Sequence, residues 1–76
     1  MNLKIVGYDC SNGIKLRKNI LKINDYNINL ELLNGSNYEK KYNIKNIPAL
    51  IINDKVVSEG KVLNEREIVR MIKVLS

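Results

Sequence analysis

Residues 42–53 read YNIKNIPALIIN and contain the only proline of the chain. Tyr42 and Asn43 close a helical stretch, and Asn43 suits the left-handed residue that ends such a helix. A short link follows, and Ile47-Pro48 then opens an apolar run. Proline lacks an N–H, and the first position of a strand is where that lack does least harm. The runs PALIIN and KVVSEG are joined around Asn53-Asp54, which predicts a tight hairpin turn. Gly60, at the end of the second run, serves a bulge or turn.

Upstream of the hairpin, NGSNYEKKYN (residues 34–43) supplies a turn and a short helix. Ser36 stands three residues before Glu39, the spacing of a capping box. Residues 28–33 alternate Ile28, Leu30 and Leu32 against Asn29, Glu31 and Leu33, which predicts a strand. From Ser11 to about Asn24 the period is helical. Leu16, Ile20 and Ile23 form one stripe, Ile14 and Leu21 a second, and Lys15, Lys18 and Lys22 the wet face, so this helix is expected to be buried over a wide arc. LKIVG (residues 3–7) reads as a buried strand ended by Gly7. Downstream, Asn64 and Glu67 make a second capping-box pair, and Ile68, Ile72 and Leu75 give the apolar stripe of a C-terminal helix. Arg70 and Lys73 lie toward its negative end.

The order is therefore β-α-β-α-β-β-α, an α/β fold in a single domain over residues 1–76. Two strands flanking a helix are expected to run parallel through a right-handed crossover, and the last two form a hairpin. A four-stranded mixed sheet with three helices accounts for every apolar stripe.

The chain has 76 residues, 45% of them hydrophobic and 28% charged. A chain of this length buries only ~60% of its unfolded surface, so its stability is marginal. It has no tract long enough to span a bilayer, which predicts no membrane association. The N-terminus has neither the apolar region nor the cleavage site of a signal peptide, and with a single cysteine the expected setting is cytoplasmic and reducing. The net charge is +5, but its thirteen basic residues and its four tyrosines, Tyr8, Tyr26, Tyr38 and Tyr42, are spread along the chain. That pattern predicts no nucleic-acid partner. Histidine is absent, which removes the usual general base and the commonest metal ligand.

The lone cysteine lies in GYDCSNGIK, residues 7–15. Cys10 follows a strand and precedes a helix: at the helix start, unpaired backbone N–H groups and the helix dipole would favour a thiolate, and the alternative is a small buried apolar side chain. The neighbouring Asp9 opposes ionisation. Ser11 and Asn12 read as the cap residues of the helix.

These two segments together resemble the thioredoxin family, whose members show a helix-ending Tyr, a link, and then an apolar residue and Pro leading into a hairpin. VVSEGKV is similar to the stretch where that family has a glycine after its last strand. The length and the opening VGYDC resemble the small thioredoxin/glutaredoxin-like, or redox-active disulfide, proteins, in which an apolar strand leads into Gly-x-x-Cys-x-x-Cys. Gly7 and Cys10 fit that opening, and Gly13 stands where the second cysteine belongs.

The resemblance implies a minimal thioredoxin fold, with Pro48 as a cis-proline facing Cys10. Cys10 is then the catalytic thiol, Tyr8, Ile47 and Pro48 the substrate-binding residues, and Gly13 the degenerate resolving position. No cofactor and no metal are expected. Without a second cysteine the dithiol route is closed, so the chemistry expected is monothiol exchange with protein or small-molecule thiols and disulfides, glutathione among them. Lys15 and Lys18 would attract an anionic thiol or simply form a solvated helix face. A monomer is expected, or a disulfide-linked dimer through Cys10. The alternative of a different class is a degenerate thioredoxin-fold binding module in which the thiol is incidental. Iron–sulfur carriage is the weaker reading, because Cys-Ser-Asn-Gly departs from the Cys-Gly-Phe-Ser of monothiol glutaredoxins.

Overall fold

A computed structural model describes residues 1–75. Among these the elements are β1 (Asn2–Val6), α1 (Ser11–Leu21), β2 (Asn29–Leu33), α2 (Ser36–Lys41), β3 (Ala49–Ile52), β4 (Lys55–Glu59) and α3 (Glu65–Leu75). The strands form one sheet in the order β2-β1-β3-β4. β1 runs parallel to β2 and antiparallel to β3, and β3 and β4 form the hairpin. This is the β-α-β-α-β-β-α mixed sheet of a minimal thioredoxin fold.

Alternation along the strands divides the core between the two faces of the sheet. Leu3, Ile5, Leu50 and Ile52 point to one face, where Leu16 and Ile20 of α1 and Ile68 and Ile72 of α3 cover them. Val6, Ala49 and Ile51 point to the other, packed with Ile44 and Tyr42 at the end of α2. Lys4 shares this second face. Its ammonium donates to the Tyr42 hydroxyl at 3.2 Å and to Asp54 at 3.3 Å. These two contacts, the phenol first, hold its pKa above the ordinary lysine value. Lys4 thus ties the end of α2 and the hairpin turn to the central strand.

The turn signals are realised in the backbone. Asn53 and Asp54 both have positive φ, 48° and 68°, the pattern of a two-residue type I′ hairpin. Asn43 closes α2 at φ 55°. Asn64 and Glu67 form the reciprocal box: the Glu67 N–H donates to Asn64 Oδ1 at 2.8 Å and the Asn64 N–H to Glu67 Oε1 at 3.1 Å. In the hairpin, Leu50 faces Ser58 and Ile51 faces Val56, so Val57 is the extra residue of a bulge.

Four sequence expectations are corrected. The cap of α1 is Cys10 rather than Ser11 or Asn12, because the sulfur accepts the Gly13 N–H that a cap oxygen would take. The Ser36–Glu39 box does not form: the helix starts at Ser36 itself, Gly35 is the residue before it, and no side chain caps it. α1 ends at Leu21 rather than near Asn24. Nor is it buried over a wide arc, since Ile14 is 43% and Leu21 61% exposed. A narrow sheet beside α3 offers α1 one contact face, and Leu16 and Ile20 fill it.

Leu50 has no exposed surface. Leu50→Ala is expected to destabilise by about 2–5 kcal/mol, since a methyl-lined cavity replaces the side chain. Leu21→Ala on the exposed face should stay within about 0.5 kcal/mol. Urea unfolding of the two variants, compared at constant m-value, checks both.

Candidate functional site

Gly7 leaves β1 by donating its N–H to the Leu33 carbonyl at 2.9 Å, which extends the β1–β2 ladder by one bond. It then turns with φ +81°, a conformation that an L side chain rarely adopts. That turn carries the chain through Tyr8 and Asp9 to Cys10. Cys10 is extended (φ −75°, ψ 163°), and its carbonyl accepts the first bond of α1, from the Ile14 N–H at 2.9 Å.

The half-buried sulfur sits between two backbone groups. Sγ accepts from the Gly13 N–H at 3.3 Å and donates to the Gly7 carbonyl at 3.2 Å. A thiolate at this position keeps the Gly13 donor and releases the Gly7 acceptor. The Asp9 carboxylate is engaged elsewhere, accepting from Asn34 Nδ2 at 3.0 Å.

Gly13 is buried against this loop. A Cβ built on it lies 2.4 Å from the Gly7 oxygen and 2.8 Å from the Tyr8 carbonyl carbon, distances that no real Cβ tolerates against backbone. The space that a side chain at position 13 would need is therefore filled by main chain. Gly7 is closed in the same way on its other side: a Cβ there would lie 2.7 Å from Cβ of Ile47. Gly13, the Gly7–Tyr8 backbone and Ile47 form a stack with no spare volume.

The Ile47–Pro48 bond is cis. Pro48 is buried and its carbonyl accepts the Gly60 N–H at 2.8 Å, while Ile47 is 43% exposed. The link before them is held by Glu59 at the end of β4, whose carboxylate accepts from the N–H groups of Lys45 at 2.7 Å and Asn46 at 3.1 Å. These bonds, Lys45 first, hold the Glu59 pKa below the ordinary carboxylate value.

The structure thus brings Ile47 against Gly7 and Gly7 against Cys10, and it places Gly13 under the same loop. Tyr8 is half-buried and packs against the main core. Lys15 and Lys18 are exposed on α1. Among the described residues, no three His, Cys, Asp or Glu side chains stand together as a metal-binding group. Two contributors were not legible as such. Gly7 read as the end of a strand and as the first residue of the Gly-x-x-Cys opening but not as a packing contact of Ile47, and Glu59 gave no signal because its partners lie across the hairpin. The glycine pair flanking Cys10 was the available hint for the first.

A cysteine at the N-cap of the first helix, a cis-proline opening the hairpin and a β2-β1-β3-β4 sheet together define a thioredoxin-like protein. The chain belongs to the thioredoxin domain family, whose model matches residues 1–73. No curated protein and no solved structure matches it.

Two outcomes follow from this geometry. Gly→Ala inside a helix ordinarily gains about 1 kcal/mol in propensity. Gly13→Ala should instead lower stability by about 1–3 kcal/mol, because its methyl group displaces the Gly7–Tyr8 backbone, and Gly13→Cys should do the same. Thermal melts of both variants decide the sign.

Glu59 gives a pH signature. Its folded-state pKa is depressed, so its stabilisation is complete above the ordinary carboxylate value and is lost as pH falls through the lower native value. Urea midpoints measured down through the acid range should show that part of the decline in the wild type and not in Glu59→Gln.

Proposed function

We propose that this protein carries out thiol–disulfide exchange through Cys10, by a monothiol route in which a second molecule supplies the resolving thiol. The observation that carries the reading is the sulfur itself. Cys10 is half-buried at the N-cap of α1, its sulfur is bonded to the Gly13 N–H, and the loop that leads to it packs through Gly7 against Ile47. Membership of the thioredoxin domain family supports the same reading.

In the exchange, the Cys10 thiolate attacks one sulfur of a disulfide and displaces the other sulfur as a thiolate. The product is a mixed disulfide on Cys10. An external thiolate then attacks the partner sulfur of that bond, takes the partner as a new disulfide and returns the Cys10 thiolate. Electrons balance, since one disulfide is consumed and one is formed. The filled position at Gly13 supports an external resolver, because no side chain of this chain fits there. Tyr8 in the loop, with Ile47 and Pro48 at the start of the hairpin, are the residues proposed to meet the substrate.

Incubation with oxidised glutathione near neutral pH tests the proposal. A glutathione adduct on Cys10 is expected by intact-mass measurement, together with its release by reduced glutathione and its loss in Cys10→Ser. Absence of both a glutathione adduct and a Cys10-linked dimer under conditions that modify a free cysteine peptide overturns it. A disulfide-linked dimer formed in place of the adduct would make a second copy of the chain the preferred partner.

A further inference from the structure

The chain contains two Asn-Gly pairs, Asn12-Gly13 and Asn34-Gly35. In such a pair no side chain hinders the glycine nitrogen, which can attack the Asn side-chain amide and close a cyclic imide. The fold treats the two pairs differently. Asn12 lies in the first turn of α1, the Gly13 N–H donates to Cys10 Sγ at 3.3 Å, and Gly13 is packed under the Gly7–Tyr8 backbone. A bonded, packed nitrogen in a helix is kept from its neighbour's side chain.

Asn34 and Gly35 are both exposed, between β2 and α2. Gly35 has φ +111°, a Cβ built on it meets nothing within 4 Å, and among the described residues its N–H has no hydrogen-bond acceptor. Its nitrogen is open to react. Asn34 also touches the loop that carries the thiol: its Nδ2 donates to the Asp9 carboxylate at 3.0 Å. The bond from the Gly7 N–H to the Leu33 carbonyl, 2.9 Å, holds the same two segments side by side.

We propose that Asn34 is a deamidation site whose product sets a second carboxylate beside Asp9, the residue before Cys10. The Gly35 nitrogen gives up its proton to solvent and bonds to Asn34 Cγ. The Cγ–Nδ2 bond breaks, and Nδ2 leaves as ammonia with protons taken from water. Water then opens the imide at either carbonyl, giving aspartate or isoaspartate. The net reaction is amide plus water to acid plus ammonia, and nothing is oxidised or reduced. The donor to Asp9 thereby becomes an acceptor. Because the Gly7–Leu33 bond keeps the segments together, the new charge stays near Asp9 and disfavours a thiolate at Cys10. The proposal does not rest on exchange at Cys10.

The test incubates the wild-type protein at mildly alkaline pH, native and in urea, and follows both pairs by peptide mapping. In urea both should convert. In the native protein Asn34 should gain the mass of OH replacing NH2, more slowly than in urea because Asp9 restrains it, while Asn12 keeps its amide. Asn34→Asp then supplies the product. Its Cys10 should be alkylated by iodoacetamide about twofold or more slowly than that of Asn34→Ala near neutral pH, a gap that narrows with added salt. If that variant fails to fold, aged wild-type protein separated by charge takes its place, compared with the unaged protein. An unchanged Asn34 in the native protein, equal conversion of Asn12, or a thiol that reacts as fast with the new carboxylate as without it overturns the proposal.

Discussion

Helix α1 meets the loop that leaves β1 with no side chain between them. Gly13 leaves no room for a Cβ over the Gly7–Tyr8 backbone, and Gly7 leaves none against Ile47. This double approach fixes the angle at which α1 departs from the central strand. It also fixes the distance at which the start of the hairpin passes that strand. The rest of the layout follows from these two relations. α1 can lie over β1 only if its first turn closes on the loop, and β3 can pair with β1 only if Ile47 clears Gly7.

The sulfur of Cys10 occupies the one polar position that this packing creates. A helix start leaves N–H groups without partners, and a cap side chain ordinarily supplies an oxygen. Here the chain supplies sulfur, bonded to Gly13 on one side and to the Gly7 carbonyl on the other. The group that completes the helix is thus the same group through which the proposed exchange would run.

The element order and sheet topology were legible in the sequence because they rest on period and punctuation. Alternation placed the strands, Asn53-Asp54 and Asn43 marked the backbone reversals, and Asn64 with Glu67 marked the start of α3. Ser36 misled because a capping box needs its first residue outside the helix, and Gly35 with φ 111° already performs the reversal. Ile14 and Leu21 misled because a period reports where apolar side chains recur, not whether a surface exists to cover them. At the site, Cys10 and Pro48 carried a resemblance that could be read. The closure at Gly13 could not, since it depends on the path of a loop six residues upstream. Glu59 was equally hidden, because its partners Lys45 and Asn46 come near it only once the hairpin has formed.

Nearly every contact that shapes the site is made by main chain: the Gly7 carbonyl, the Gly13 N–H, the Gly60 N–H on Pro48, and the two amides on Glu59. A chain this short has little buried surface to spend on holding side chains in place. Backbone bonds anchored in the sheet need no additional core. Gly7 extends the β1–β2 ladder, and Gly60 follows directly on β4, so the bonds that orient the site belong to the framework that holds the strands. The site's backbone contacts are therefore continuous with the strand pairing. The side chains that these backbone bonds hold in place include the thiol of Cys10, Ile47, Pro48 and the carboxylate of Glu59.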